Sequence, residues 1–229
     1  DEKRDRYLLK KAVDDTKDQS YVLYMLTQEQ LAHVKLPLGG LRKDQVRVIA
    51  EKHGFINARK HDSQDICFVP DGDYAKFIEK YTGKKTPEGD FVDKEGNYIG
   101  RHKGIIHYTI GQRRGLGIPA ASRLYVCEIS PKTNTVVLGD NADLFSSELE
   151  ADSVNLISVD NLSEPKRVTA KIRYRHKEQP ATAWQTPDGI LHVKFDEPQR
   201  AITKGQAVVM YDGDEVVGGG VINKIYSQS

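Results

Sequence analysis

The apolar side chains of this chain change their period once, and that switch limits the fold more than any other feature. Up to about Thr82 they recur at helical spacing; from Thr86 onward they alternate towards a period of two, with turn chemistry at Asp93-Lys94-Glu95-Gly96-Asn97, Asp188-Gly189 and Asp212-Gly213. A helix buries one stripe every 3.6 residues and a strand one face every two, so helices and strands here are segregated along the chain rather than alternating.

In the first third, Val22, Leu23, Met25 and Leu26 lead into Thr27-Gln28-Glu29-Gln30, a Thr-x-x-Gln capping box. Pro37-Leu38-Gly39-Gly40 interrupts, helical spacing resumes from Leu41 to His53 through Val46, Ile49 and Ala50, and Gly54 suits a C-terminal cap. A third helix is expected from Asp73 to Gly83, with Tyr74, Phe77, Ile78 and Tyr81 on one face. These helices have apolar faces but no phosphate loop and no parallel strands to cover. They read as the tail of a larger α/β domain or, alternatively, as a helical cap on the β units.

Strands are expected at Arg123–Ser130, Thr135–Leu138, Val168–Tyr174, Ala181–Gln185, Leu191–Phe195, Ala207–Tyr211 and Val216–Ile222, the two Asp-Gly turns making hairpins. Close antiparallel spacing favours a small C-terminal barrel or sandwich. Boundaries are expected near Thr82–Pro87 and in the acidic stretch Asp140–Asp152.

Composition excludes a membrane phase: apolar residues are 38% of 229, and no run approaches the roughly 20 apolar residues of a spanning helix. The charged start Asp1-Glu2-Lys3-Arg4-Asp5-Arg6 is unlike a secretory leader, so a cytoplasmic location is expected. Cys67 and Cys127 make no disulfide framework. The net charge of +1 hides a strong pattern. Arg101 to Cys127 carries five cations (Arg101, Lys103, Arg113, Arg114, Arg123) and no acid. Glu128 to Pro165 carries eight acids against Lys132, and Lys166 to Lys177 six cations without an acid. Clustered Lys and Arg favour an anionic partner through counterion release, although such runs also occur as solvated faces.

Among groups able to do chemistry, Cys67 stands in His61-Asp62-Ser63-Gln64-Asp65-Ile66-Cys67-Phe68, with Arg59, Lys60 and His61 close enough in sequence to stabilise a thiolate. Its neighbours Ile66 and Phe68 equally suit a buried structural cysteine. Cys127 lies inside a strand pattern and reads as structural. The seven histidines support no catalytic triad, and His102 and His107 lack the neighbours of a metal site. The run from Gly100 to Ile118, with glycines at 100, 104, 111, 115 and 117 among Arg, Lys, His and Tyr, suits close approach to phosphate, or simply a tight basic linker. It lacks the glycine spacing of a Walker loop.

At Asp65-Ile66-Cys67-Phe68 and His107-Tyr108-Thr109-Ile110-Gly111-Gln112-Arg113-Arg114-Gly115-Leu116-Gly117-Ile118 the chain resembles the bacterial tRNA-specific 2-thiouridylase family, the tRNA-uridine 2-sulfurtransferases. Asp15-Thr16-Lys17-Asp18-Gln19-Ser20-Tyr21, Leu26 to Leu31, Arg173-Tyr174-Arg175, Phe195-Asp196-Glu197-Pro198 and Gly218-Gly219-Gly220 match in the same order. The resemblance implies an α+β multidomain chain: the helical remnant of a PP-loop nucleotide domain (1–80), a small β-rich central tRNA-binding domain (81–148) and a C-terminal antiparallel β-barrel (149–229). It implies ATP-dependent activation of C2 of the wobble uridine of tRNA, followed by displacement of AMP by persulfide sulfur carried on Cys67. It also implies tRNA contacts at Lys17, Asp18, Gln19, Arg173, Tyr174 and Gln206, with Arg113 and Arg114 near phosphate, and a sulfur donor from a cysteine desulfurase relay. The protein is expected to be monomeric, with no metal and no membrane partner. The family's Ser-Gly-Gly-x-Asp-Ser ATP loop and its first cysteine have no counterpart in these 229 residues, so the chain is expected to be a portion of the enzyme, inactive alone. The competing expectation is a non-catalytic RNA-binding module in which Cys67 is structural.

Overall fold

A computed structural model of the chain describes residues 1–60, 69, 72–119 and 123–226. The chain divides into two compact units, one made of residues 1–60 and 146–226, the other drawn from residues 61–145.

In the first unit a closed six-stranded barrel runs in the order β10-β5-β8-β7-β6-β9, with β5 at Phe145–Leu156, β6 at Lys166–Lys171, β7 at Gln179–Gln185, β8 at Leu191–Arg200, β9 at Ala207–Asp212 and β10 at Glu215–Tyr226. β10 pairs antiparallel with β5 and β9, β6 with β7 and β9, and β7 with β8. Closure removes the exposed edges that an open sheet would leave. Alternate residues fill the interior: Val168 and Ala170, Ala181 and Ala183, Leu191, Val193 and Phe195, Val208 and Met210. Both Asp-Gly hairpins form, with Gly189 and Gly213 at positive φ.

The acidic stretch Asp140–Asp152, expected to hold a boundary, does hold the division between the two units, at residues 145 and 146. It also contains most of β5, a strand that was not expected there, because Leu149 and Ala151 point into the core while Glu148, Glu150 and Asp152 are only partly covered. β6 stops at Lys171, which leaves Arg173 and Tyr174 in the turn before β7 rather than in a strand.

The first third forms three short helices, α1 at Ser20–Leu23, α2 at Gln28–His33 and α3 at Lys43–Lys52. The capping box at Thr27 and Gln30 is present in both directions. Leu9, Tyr21, Tyr24 and Leu31 pack on Ile157, Val209, Tyr211 and Val216, covering one outer flank of the barrel. Burying an apolar side chain of this size contributes on the order of 1.5–3 kcal/mol. Residues 9–11 run beside β10, with the Val216 N–H donating to the Leu9 carbonyl at 2.9 Å and the Lys11 N–H to the Asp214 carbonyl at 2.8 Å. Close approach is possible because β10 carries Gly218-Gly219-Gly220; a Cβ on Gly219 would sit 2.8 Å from the Tyr24 ring. The helical segment therefore caps the barrel in this chain. α3 behaves differently: its helix forms as expected, yet none of its residues is buried among the described residues.

The second unit begins with α4 at Tyr74–Thr82, capped by the Asp73 carboxylate on the Lys76 N–H and closed by left-handed Gly83. Its sheet has the order β2-β1-β4-β3, with β1 at Gly89–Val92, β2 at Tyr98–His102, β3 at Tyr125–Ser130 and β4 at Thr135–Gly139. β1 and β4 are parallel, the outer pairs antiparallel. β1 and β2 were not expected as strands, since four and five residues containing glycine and charge give too short an alternation to read. Phe91, Tyr108, Val126, Val136 and Leu138 form the core.

Candidate nucleic-acid interface

In the first unit the polar run Asp14 to Ser20 folds into a turn stitched by its own carboxylates. Asp14, buried, accepts from the Thr16 N–H (3.1 Å), the Thr16 hydroxyl (2.6 Å) and the Lys43 N–H at the start of α3 (2.9 Å). The Thr16 and Lys43 hydrogen bonds hold its carboxyl below the ordinary range. Asp18 accepts from the Ala12 N–H at 3.0 Å, the Ser20 N–H at 3.1 Å and the Ser20 hydroxyl at 2.5 Å. Lys17 and Gln19, on either side of Asp18, are exposed.

Two other chain segments meet this turn. The Gln19 amide donates to the Tyr174 hydroxyl at 2.5 Å across 155 residues of sequence, and the Tyr21 and Tyr174 rings meet edge to face at 6.2 Å. The Tyr21 hydroxyl donates to the Ala207 carbonyl at 2.8 Å, and burial pushes it up to about 12. Arg173, partly buried, donates to the Ala201 carbonyl (2.7 Å) and the Thr203 hydroxyl (2.9 Å). Burial and the nearby Arg200 lower its affinity for its proton. Gln206 follows left-handed Gly205, is exposed, and accepts from the Ile222 N–H at 2.8 Å through its carbonyl. Lys17, Asp18, Gln19, Arg173, Tyr174 and Gln206 thus gather at one end of the barrel.

The charge runs are partly neutralised by folding. Lys166 pairs with Asp212 at 2.8 Å, and Arg167 with Asp196 through two bonds of 2.7 Å. Lys171 and Lys11 lie 5.5 and 4.6 Å from the centre of the Tyr211 ring. The cations that remain directed to solvent, Arg175 and Lys177, are those of the turn.

In the second unit Arg113 and Arg114 are exposed on the glycine loop. Backbone bonds tie that loop to β3: the Gly111 N–H to the Val126 carbonyl at 2.8 Å and the Val126 N–H to the Gln112 carbonyl at 2.9 Å. Gly104, Gly111, Gly115 and Gly117 all have positive φ. His102, buried, accepts from the Gly104 N–H at Nδ1 (3.0 Å), so Nε2 carries the proton and donates to the Asn134 carbonyl (3.0 Å). Arg101, counted among the loop's cations, is held by Asp90 at 2.9 Å. An open cleft of about 510 Å³ is lined by Arg113, Arg123, Leu116, Ile118 and Leu124.

Cys67 lies outside the described residues. Cys127 is half-buried in β3, and burial together with the Asp143 carboxylate pushes its thiol up to about 11, the opposite of what a nucleophile needs. No group of three or more His, Cys, Asp or Glu able to hold a metal occurs among the described residues. No helix among them is long and apolar enough to cross a membrane. The supporting residues Asp14, Ser20, Thr203 and Tyr211 were not singled out in the sequence. The Asp-x-Thr and Asp-x-Ser spacings, typical of a side chain bonding its own backbone two residues on, were the legible signal for the first two.

Three family models match successive parts of this chain. Residues 1–71 match a family model described as the tRNA methyl transferase HUP domain, residues 75–140 the tRNA methyl transferase PRC-barrel domain, and residues 146–222 the aminomethyltransferase beta-barrel domain. Proteins named tRNA-specific 2-thiouridylase MnmA from Clostridioides difficile (strain 630) and Acetivibrio thermocellus are 58% and 55% identical over 224 and 222 residues, covering 98% and 97% of this chain. The chain belongs to the tRNA-specific 2-thiouridylase family. It spans about 62% of the length of each of these relatives.

Proposed function

We propose that this chain supplies the tRNA-holding surfaces and the sulfur-carrying cysteine of a 2-thiouridylase that thiolates C2 of the wobble uridine. The observation that carries this reading is the convergence of Lys17–Gln19, Arg173–Tyr174 and Gln206 on one end of the barrel, tied by the Gln19 to Tyr174 bond. Exposed cations mixed with Tyr and amide side chains match the chemistry of phosphate and unstacked bases. Arg113 and Arg114 would meet phosphate from the second unit. Along the chain, 1–80 would belong to the PP-loop domain, 81–148 to a central tRNA-binding domain and 149–229 to the barrel domain.

Cys67 carries the sulfur as a persulfide in this reading, received from a donor protein of a cysteine desulfurase relay. ATP would make the uridine oxygen a leaving group. Among the described residues no glycine loop joins a strand to a helix N-terminus in the manner of a triphosphate cradle, so these residues do not fit ATP. A monomer working in the cytoplasm completes the proposal.

The test is the 2-thiouridine content of tRNA from cells whose only copy of the full-length parent carries Cys67→Ser, with protein abundance and tRNA binding measured alongside. Loss of thiolation at normal abundance and binding is expected. Retained thiolation would leave a non-catalytic RNA-binding module with Cys67 structural. A change in methylation instead would favour the chemistry in the family model's description.

A further inference from the structure

Lys17, Asp18 and Gln19 are consecutive, yet the structure treats the middle residue differently. The Asp18 carboxylate is turned onto its own chain, where three donors occupy it: the Ala12 N–H, the Ser20 N–H and the Ser20 hydroxyl. A carboxylate offers about four acceptor positions, so little is left for an outside partner. The Ser20 side chain that it holds is 2% exposed and lies 3.3 Å from the Tyr211 hydroxyl. Tyr211 is wholly buried, with Lys11 and Lys171 over its ring. A line of contacts therefore runs from the barrel wall through Tyr211 and Ser20 to Asp18. At the other end of the turn Asp14 is bonded to Thr16 and to the start of α3. Lys17 and Gln19 project from a turn braced on both sides, and Gln19 is already oriented by Tyr174. An anion facing a phosphate backbone opposes binding, whereas an anion consumed in bracing a turn does not.

We propose that Asp18 is a positioning residue of the RNA surface: it acts on RNA through Lys17 and Gln19 and does not itself touch the RNA. This rests on the RNA-binding reading above and departs from the direct contact that the family resemblance implies.

The experiment is a KCl titration of the binding of unfractionated bacterial tRNA to the full 229-residue chain. Its variants are Asp18→Ala, Asp18→Asn, the pair Lys17→Ala with Gln19→Ala, the triple combination, and Arg173→Ala as a control. Asp18→Ala is expected to weaken binding about as much as the pair, and to reduce the salt slope by about 1, as loss of one phosphate contact does. Added to the pair, Asp18→Ala should cost less than about twofold more, because residues acting through one another are not additive. Asp18→Asn should rescue most of the loss, since its Oδ1 still accepts from both N–H groups and the Ser20 hydroxyl can rotate to accept from Nδ2.

An undiminished cost of Asp18→Ala in the pair background would establish direct contact and overturn the proposal; so would failure of Asp18→Asn to rescue binding while its circular dichroism stays that of the parent. If Asp18→Ala does not fold, Asp18→Asn and Ser20→Ala decide: Ser20→Ala should lose affinity and salt slope, and unchanged values would overturn the proposal. If Arg173→Ala and the Lys17/Gln19 pair both leave binding unchanged, the RNA surface reading itself fails and this proposal falls with it.

Discussion

The two cationic regions of the molecule are shaped by different means. At the end of the barrel, cations and amides are held by side chains: Asp14 and Asp18 brace the turn, Thr203 takes Arg173, and Tyr174 takes Gln19. On the second unit, Arg113 and Arg114 are presented mainly by backbone, on a loop whose glycines adopt conformations that other residues avoid, whose amides are tied to β3, and which the Gln112 side chain bridges from the Thr109 N–H to the Arg114 carbonyl. A surface preorganised by side-chain bonds loses function when a partner is deleted. One shaped by glycine loses it when a Cβ is added.

The sharpest separation is expected in stability. Gly219→Ala would place a Cβ 2.4 Å from the Val208 carbonyl and 2.8 Å from the Tyr24 ring. That overpacking should cost about 3 kcal/mol in urea unfolding. Gly117, at φ 71° with nothing within 4 Å of its would-be Cβ, should cost only the left-handed backbone penalty on mutation to Ala, about 1 kcal/mol. Equal costs would erase the distinction between packing glycines and conformational ones.

Next in size is tRNA binding. Arg173→Ala should weaken it about tenfold, roughly 1.4 kcal/mol, and Arg173→Lys should not restore it, because Nη2 alone makes the bonds to Thr203 and the Ala201 carbonyl, and a single ammonium making them would have no second planar nitrogen to offer phosphate. Arg113→Ala, from an exposed site, should cost about two- to threefold with a salt slope lower by about 1. A larger effect at Arg113 would move the main RNA contact to the second unit.

Thiol chemistry tests the second unit's core. In a Cys67→Ser chain at pH 8, Cys127 should react with an aromatic disulfide reagent at least about tenfold more slowly than a free thiol of ordinary pKa, and speed up as pH rises towards about 11. Fast reaction at pH 8 would mean that β3 opens.

The smallest effect is at His176, whose pKa burial and the neighbouring Arg173 lower. Its neutral form is the folded one, so stability is unaffected above about pH 6.5 and falls as pH drops below that value, where the unfolded chain takes up the proton. The melting temperature of the parent should fall more between pH 6.5 and 5 than that of His176→Gln, and tRNA should narrow the gap. Parallel curves would mean that burial does not disfavour the charged form of His176.

Local chemistry explains which features were legible. The capping box at Thr27, the cap at Asp73, left-handed Gly54 and Gly83 and both Asp-Gly hairpins depend on neighbours in sequence and occur where the pattern placed them. β5 was obscured because its acids dominate a composition reading while only Leu149 and Ala151 record the core. β1 and β2 were too short to show a period. In the candidate site, the six proposed contacts were named through family resemblance and the charge runs, but nothing local indicated that Lys166 and Arg167 would be neutralised by Asp212 and Asp196.

What the sequence alone determined is that helices precede strands, where the capped helices and the Asp-Gly hairpins fall, and the positions of the basic runs, since these follow from periods, caps and charge within a few residues. Only the tertiary structure decided that Leu9, Tyr21, Tyr24 and Leu31 cover one flank of the barrel, which cations remain in solvent, and that the Asp18 carboxylate is turned onto its own chain. Together these depend on partners up to about two hundred residues away, and burial and hydrogen bonding across that separation arise only when the chain has closed on itself.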